Sequence, residues 1–217
     1  MLLLAVDTAT PAVTVALHDG TDVVAETSRV DARRHGELLL PAVHQVLADA
    51  GLKLDAVTDL VVGVGPGPYT GLRVGLVTAA TFGSVLGVPV HGLCTLDGLA
   101  YASGIEEPFV VATDARRKEV YWARYDDFRT RAGEPSVDRP ADIAEQVAGA
   151  PAVGAGALLY PEVFADARGP EHQSAAALAA LAAERLAAGA GFLPPTPLYL
   201  RRPDAQVPKN YKVVTPR

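Results

Sequence analysis

The first thirty residues contain three short stretches of strand character. Residues 2–6 are an apolar run, and residues 13–17 alternate between larger apolar side chains and Thr or Ala. Residues 23–27 form the third stretch, and the pair Asp19-Gly20 before it is a hairpin signal. This pattern predicts an antiparallel meander of three strands.

Helical and strand patterns then alternate as far as residue 102. The apolar positions of residues 33–50 recur at helical spacing, and Gly51 is placed to end that helix. A buried strand, a helix, a strand and a helix follow, at 60–64, about 71–86, 88–93 and 96–102. A meander followed by two crossover units predicts a mixed sheet with helices on both faces. This is the repeating half of the actin/hexokinase/Hsp70-like (RNase H-like) α/β fold.

The second half of the chain has the character of a shorter, degenerate copy of the first. Its predicted strands are 109–113, 120–125 and 151–156, and its predicted helices are 141–147 and 174–188. The segment Glu106-Glu107-Pro108 is typical of a boundary between two lobes. We therefore predict two lobes, residues 1–105 and residues 106–217, with an extended tail from Pro194 onward.

Composition and charge narrow the class of protein. Apolar residues make up 49% of the chain, enough for a packed core, and the net charge of −6 argues against a protein that grips nucleic acid alone. The single cysteine, Cys94, excludes an internal disulfide, and we expect no signal peptide and a cytoplasmic location. Residues 74–96 lack charge, but glycines and a proline interrupt them, so we predict a buried helix and strand here rather than a membrane span.

Two glycine- and hydroxyl-rich loops are the candidate chemistry. The loop 65–71 lies between a buried strand and a helix, where backbone N–H groups can approach an anion. It matches neither the P-loop nor the dinucleotide fingerprint, so a tight turn with close packing stays open. The loop after the first strand could orient Mg²⁺ or water, or only cap its own turn. The residues concerned are Asp7, Thr8, Thr10, Gly65, Gly67, Thr70 and Gly71.

Other catalytic patterns are missing from the sequence. The five histidines form no pair at metal-ligand spacing, and no Gly-x-Ser-x-Gly nucleophile elbow occurs. These observations argue against a metallopeptidase or a serine hydrolase, although residues distant in sequence could still assemble a site.

The second predicted helix is apolar on almost every side. Such a helix must be covered all round. Gly75, Ala79 and Gly83 form a row of small residues that permits close approach of another helix. Either the first helix or a partner protein covers the face that the sheet leaves open, and we favour a contribution from a partner.

Five motifs stand out along the chain, at residues 4–10, 35–41, 65–75, 114–121 and 197–201. In this order they resemble the TsaB family of bacterial tRNA threonylcarbamoyladenosine biosynthesis proteins, formerly labelled glycoproteases. The resemblance covers almost the whole chain.

The resemblance implies an actin-like, non-catalytic subunit that acts beside the related catalytic subunit TsaD, with TsaE as an ATPase helper. The metal-binding His-x-Glu-Gly-His motif of TsaD corresponds here to residues 95–99, where Thr95 and Leu99 replace the histidines. ATP or ADP and the metal are therefore expected to belong to the partner complex, and this chain is expected to bind no cofactor and to reach tRNA only indirectly.

The resemblance also implies where the partner binds. In this family the first two helices contact TsaD or, in isolation, a second copy of the same chain. The expected interface residues are His35, Leu38, Leu39, Ala42, Val46, Arg73, Gly75, Leu76, Ala79, Phe82 and Gly83. The alternative hypothesis is an actin-family ATPase or kinase that uses Asp7 and the Gly65 loop. A peptidase activity would rest on the old family label alone.

Overall fold

The computed structural model describes residues 1–201, and its first sheet is built as the sequence predicts. A 3-10 helix, Leu54–Ala56, is the one element of this half that the pattern does not indicate. The strands are β1 (Leu3–Asp7), β2 (Ala12–His18), β3 (Val23–Val30), β4 (Asp59–Gly63) and β5 (Val90–Leu93), and the helices are α1 (His35–Asp49), α2 (Tyr69–Leu86) and α3 (Thr95–Ser103).

The first sheet has the strand order β3-β2-β1-β4-β5. The meander β1-β2-β3 is antiparallel, whereas β4 and β5 join parallel to β1 through helical crossovers. Side chains of β1, β2 and β4 alternate between two cores, so α1 and α2 pack on one face of the sheet. The loops after β1 and β4 leave neighbouring parallel strands at the same edge, which brings the two candidate loops together.

The second sheet repeats this topology with shorter outer strands. Its order is β11-β10-β6-β7-β8, with β9 also paired to β7. Strands β6 and β7 are antiparallel, and β10 and β11 are parallel to β6, as β4 and β5 are to β1. The elements are β6 (Phe109–Asp114), β7 (Val120–Asp127), β8 (Thr130–Arg131), β9 (Ser136–Asp138), α4 (Pro140–Val147), β10 (Pro151–Val153), α5 (Ala155–Leu159), β11 (Asp166–Arg168) and α6 (Ala175–Ala187).

The predicted strand over residues 151–156 is wrong in its second half. Strand β10 ends at Val153, and Gly154 takes a φ of 103° before α5 begins. A Cβ on Gly154 would collide with the carbonyl of Ala112, so the chain turns at a glycine that passes close to β6. Strands β8, β9 and β11 are two or three residues long, too short for alternation to reveal them.

Helix α6 follows the predicted boundary in sequence but packs on the first sheet. Its apolar face, including Leu178 and Leu181, covers the side of β1, β2 and β4 opposite to α1 and α2. The boundary near residue 105 stays a prediction. Just before the predicted tail, Leu193 forms a β-bridge with Gly92. The tail itself is described only as far as Arg201, and the rest of it lies outside the described residues.

The uncharged stretch 74–96 is helix and strand, as predicted: α2 ends at Leu86 and β5 begins at Val90. Within residues 1–201, no helix is long and apolar enough to cross a membrane.

Candidate functional site at the glycine loop and the first helix pair

Asp7 ends β1 as a fully buried carboxylate with hydrogen bonds to both oxygens. The Ala9 amide donates to Oδ1 at 2.8 Å, and the Thr95 hydroxyl donates to Oδ2 at 2.8 Å. Burial raises the pKa of Asp7 from its usual 3.8 to about 6, and the two hydrogen bonds only partly oppose that rise. Asp7 therefore caps its own turn, the alternative role that the sequence left open.

Thr95 joins the two candidate loops. Its hydroxyl accepts from the Gly65 amide at 3.2 Å while donating to Asp7, and its own amide donates to the Gly65 carbonyl at 2.8 Å. Leu99, one turn further along α3, is completely buried among the apolar side chains of the second sheet. The two positions that the resemblance aligns with metal-binding histidines thus hold a hydroxyl bonded to Asp7 and a core leucine.

The glycines of the second loop allow backbone to pack on backbone. A Cβ on Gly67 would collide with the carbonyl of Ala9, and one on Gly71 would lie 2.5 Å from the carbonyl of Thr8. The Thr8 hydroxyl donates to the Gly71 carbonyl at 2.7 Å and accepts from the Gly75 amide at 3.0 Å. Close strand–helix packing, the other open interpretation of this loop, accounts for these glycines.

Two residues of this region escaped the sequence analysis. Gly63 lies against the Asp7 carboxylate so closely that any side chain there would collide with it. A glycine inside a β-branched strand is a sign of close approach and could have been read as such. Gln173 is buried, hydrogen-bonds the Thr10 hydroxyl and donates to the Ala12 carbonyl at 2.9 Å. No local pattern marks Gln173.

A cleft of about 230 Å³ opens where the candidate loops meet the second lobe. Thr8, Thr10, Thr70 and Gly71 line one side of it, and Arg116 lines another. His35, at the start of α1, donates from Nε2 to the Thr10 carbonyl at 2.7 Å and closes one end. The predicted loop residues do converge, but hydrogen bonds within the protein engage Asp7, Thr8 and Thr10.

The predicted interface residues fall into two groups. Seven are buried inside the lobe: Leu39, Ala42, Val46, Gly75, Leu76, Ala79 and Gly83. Four reach the surface at least partly: His35, Leu38, Arg73 and Phe82. The row of small residues faces strands of the same chain, since a Cβ on Gly83 would lie 2.5 Å from Val90. The protein itself covers these seven almost completely, so the row of small residues packs against the same chain.

An apolar groove of about 520 Å³ runs between α1 and α2 on the outer side. Its exposed members include Leu40, which is 55% exposed, and Val77, which is 60% exposed. Tyr69 and Arg73 close one end of it. This apolar surface, here called the helix-pair groove, is accessible to another protein, unlike the buried row.

Among residues 1–201, no group of three or more His, Cys, Asp or Glu side chains is arranged to hold a metal ion. Asp97, which the resemblance aligns with the Glu of the metal motif, accepts from the Tyr125 hydroxyl at 2.8 Å and from Arg131 at 2.7 Å. It also lies 3.6 Å from Arg185 of α6. Asp97 therefore links α3 to the second sheet and to α6.

Comparison with known proteins places this geometry in a family. The family model that matches residues 23–209 is described as "TsaD: tRNA N6-adenosine threonylcarbamoyltransferase". YeaZ from Pseudomonas aeruginosa is 31% identical with a TM-score of 0.80, over 92% of this chain and 99% of that one. TsaB of Escherichia coli K12 is 37% identical over 129 residues, covering 58% of this chain and 55% of that protein. The chain belongs to the TsaD/TsaB family.

The family assignment confirms the resemblance deduced from the motifs. A relative from Mycobacterium tuberculosis H37Rv, described as uncharacterized, is 46% identical over 94% of this chain and 93% of its own length. The ethanolamine utilization protein EutJ from Carboxydothermus hydrogenoformans shares 12% identity at a TM-score of 0.52, a likeness of fold alone. The actin/hexokinase/Hsp70-like two-lobed fold is thereby confirmed.

Proposed function

We propose that this chain is a non-catalytic TsaB-type subunit that binds and activates TsaD. In that role it supports threonylcarbamoylation of the adenosine adjacent to the anticodon of ANN-decoding tRNAs, in the cytoplasm and in a complex that also includes TsaE. Relatives named tRNA threonylcarbamoyladenosine biosynthesis protein TsaB support the pathway. The same helices would join two copies of the chain when TsaD is absent.

The observation that carries the proposal is the helix-pair groove. Leu40 and Val77 expose more than half of their side-chain surface on two neighbouring helices. Contiguous apolar surface of this kind marks interaction sites in soluble proteins. Tyr69 and Arg73 at its end are residue types enriched at binding hot spots.

Co-elution with TsaD on size exclusion, followed by a titration, tests the proposal. The change Leu40→Glu places a charge in the groove, where desolvation without a partner opposes binding. We expect TsaD affinity to fall by at least about tenfold, as for a hot-spot substitution, with a parallel fall in TsaD-dependent tRNA modification.

Leu159→Glu is the matched control. Leu159 is also a leucine that is 55% exposed, but it lies at the end of α5 in the second lobe. We expect that variant to bind TsaD like the wild type. Equal binding by both variants would place the interface elsewhere, and unchanged tRNA modification without this chain would overturn the proposal.

The alternative, an independent ATPase or kinase, gains no support from the geometry. Such an enzyme would need the Asp7 carboxylate to face Mg²⁺ or water, yet Ala9 and Thr95 occupy both oxygens. Calorimetry of the isolated chain with ATP and Mg²⁺ separates the two hypotheses, because tight binding with turnover would favour the enzyme.

A further inference from the structure

A stack of three side chains stands at the end of the helix-pair groove. The Arg73 guanidinium lies 5.0 Å from the centroid of the Tyr69 ring and is hydrogen-bonded to the Tyr69 hydroxyl. The Tyr69 and Tyr199 rings are stacked, with centroids 5.5 Å apart and an angle of 18° between their planes. Both rings are about half exposed, at 59% and 47%. Stacked exposed rings of this kind can accept a further planar group.

A basic turn faces the stack across the cleft between the lobes. Arg116, Arg117 and Lys118 connect β6 to β7, are all exposed and have φ angles of 62°, 56° and 62°. Three consecutive non-glycine residues in the left-handed region are rare, because their Cβ atoms crowd the following carbonyls. The turn is held by the Arg116 amide, which donates to Asp114 Oδ1 at 2.8 Å. The fold thus contains three consecutive residues in an unfavourable backbone conformation, and all three carry exposed cationic side chains.

The stack and the turn border one cleft of about 530 Å³ and form a single basic surface. Five basic and two acidic side chains make it up: Arg73, Arg116, Arg117, Lys118 and Arg201, with Asp114 and Glu119. Asp114 pairs with Arg116 and Glu119 pairs with Arg201, so each of the two acids already has a basic partner within the protein. Five basic side chains are thus grouped with two acidic ones here, on a chain whose net charge is −6.

We propose that this surface, here called the stack-and-turn surface, contacts RNA directly, with cations on the phosphates and an unstacked base on Tyr199. RNA-binding proteins recognise single-stranded RNA through this combination of aromatic stacking and arginine. An acidic protein segment would satisfy the cations but would leave the half-exposed tyrosine stack without a planar partner. The inference rests on the proposed function only in taking tRNA as the RNA, and it departs from the expectation that tRNA is reached only indirectly.

The sequence beyond the described residues continues the same charge. The chain leaves this surface at Arg201, and residues 202–217 contain four Lys or Arg residues and one Asp. Because the chain as a whole has a net negative charge, we expect RNA to contact only this surface. This contact adds to the binding of the same RNA by a partner subunit.

Fluorescence anisotropy of the full-length chain with a labelled, unmodified tRNA transcript tests this inference. We expect saturable binding at about 50 mM salt that weakens steeply as salt rises. Tyr199→Ala should weaken binding roughly 5- to 150-fold through the loss of one stacked base, whereas Tyr199→Phe should retain it. Lys118→Glu should weaken binding and lower the slope of log K against log salt by about 1.

Lys53→Glu is the matched control for charge. Lys53 is also an exposed lysine, but it precedes the 3-10 helix at the opposite end of the parallel strands. That variant should bind RNA like the wild type. No saturable binding at low salt, or equal effects of the two lysine changes, would overturn the proposal.

Two further outcomes would assign this surface to a protein ligand, and a third would show that the groove and this surface act independently. If a poly-glutamate peptide binds as well as tRNA and Tyr199→Ala changes neither affinity, the surface serves an acidic protein and the RNA proposal is wrong. If Tyr199→Ala loses TsaD binding as strongly as Leu40→Glu does, while tRNA binding is unchanged, the stack belongs to the protein interface. Loss of TsaD binding by Leu40→Glu with tRNA binding intact shows that the two surfaces act independently.

Discussion

At the scale of single residues, Asp7 is an acid kept where its ionised form is unfavourable. It is about 1% exposed, and burial raises its pKa to about 6 from 3.8. The folded chain therefore binds more protons than the unfolded chain between about pH 4 and pH 6. Stability falls as the pH rises through that window, by an amount on the order of 3 kcal/mol.

This linkage predicts the behaviour of Asp7→Asn. The amide does not titrate and keeps an oxygen that can accept from the Ala9 amide. The free energy of unfolding of the variant should rise relative to the wild type between about pH 4 and pH 6 and then level off. Urea denaturation at several pH values measures this, and a pH-independent difference would contradict it. If Asp7 instead bound Mg²⁺, the ion would stabilise the wild type alone.

The sequence identified the residues of the two loops but not their contacts. Asp7 and the glycines stood out because turn residues at strand ends are locally recognisable. The hydrogen bond from Thr95 joins positions 88 residues apart, and Gln173 lies 163 residues from Thr10. Neither contact leaves a periodic or compositional trace, so the change from a phosphate loop to an internally bonded turn appears only in the structure.

At the scale of elements, α2 shows how far an apolar pattern can be interpreted. Its composition predicts a helix that is covered all round, but in this structure the sheet and α1 leave part of it exposed, and the composition does not indicate which face meets the sheet. The small residues Gly75 and Gly83 face the loop after β1 and strand β5, because the helix approaches closely there: a Cβ on Gly75 would lie 2.7 Å from the Thr8 hydroxyl. The larger residues Val77 and Val85 lie outside, 60% and 75% exposed.

Gly75→Leu is therefore predicted to destabilise the monomer itself. The added side chain would displace Thr8 and α2, and overpacking of this kind costs about 1–3 kcal/mol. Ala80→Leu is the control on the same helix, since Ala80 is exposed and has room for the larger side chain. Urea unfolding of both variants checks this. Wild-type stability of Gly75→Leu together with lost TsaD binding would restore the expectation that the small row meets a partner.

At the scale of the whole molecule, the two sheets share one topology, but the chain does not divide cleanly between them. Helix α6, from the second half, buries Leu3, Ala5 and Val61 of the first sheet. Asp97 adds a polar link, because it binds Arg131 of the second sheet and lies near Arg185 of α6. The repeat was predictable from the order of elements, whereas the return of α6 was not, since a helix pattern does not indicate which sheet the helix covers.

The packing of α6 on the first sheet predicts that residues 1–105 do not fold by themselves. Without α6, the face of the first sheet that carries Leu3, Ala5 and Val61 would be open to water, although α1 and α2 would still cover the other face. The expressed fragment should aggregate or lack cooperative thermal unfolding. Co-expression with residues 106–217 should restore a soluble pair, because α6 can dock without a covalent link, and co-purification from the two plasmids measures it. A fragment 1–105 that unfolds cooperatively would make α6 an accessory to an independent lobe, and the boundary at residue 105 would then be a domain boundary in the thermodynamic sense.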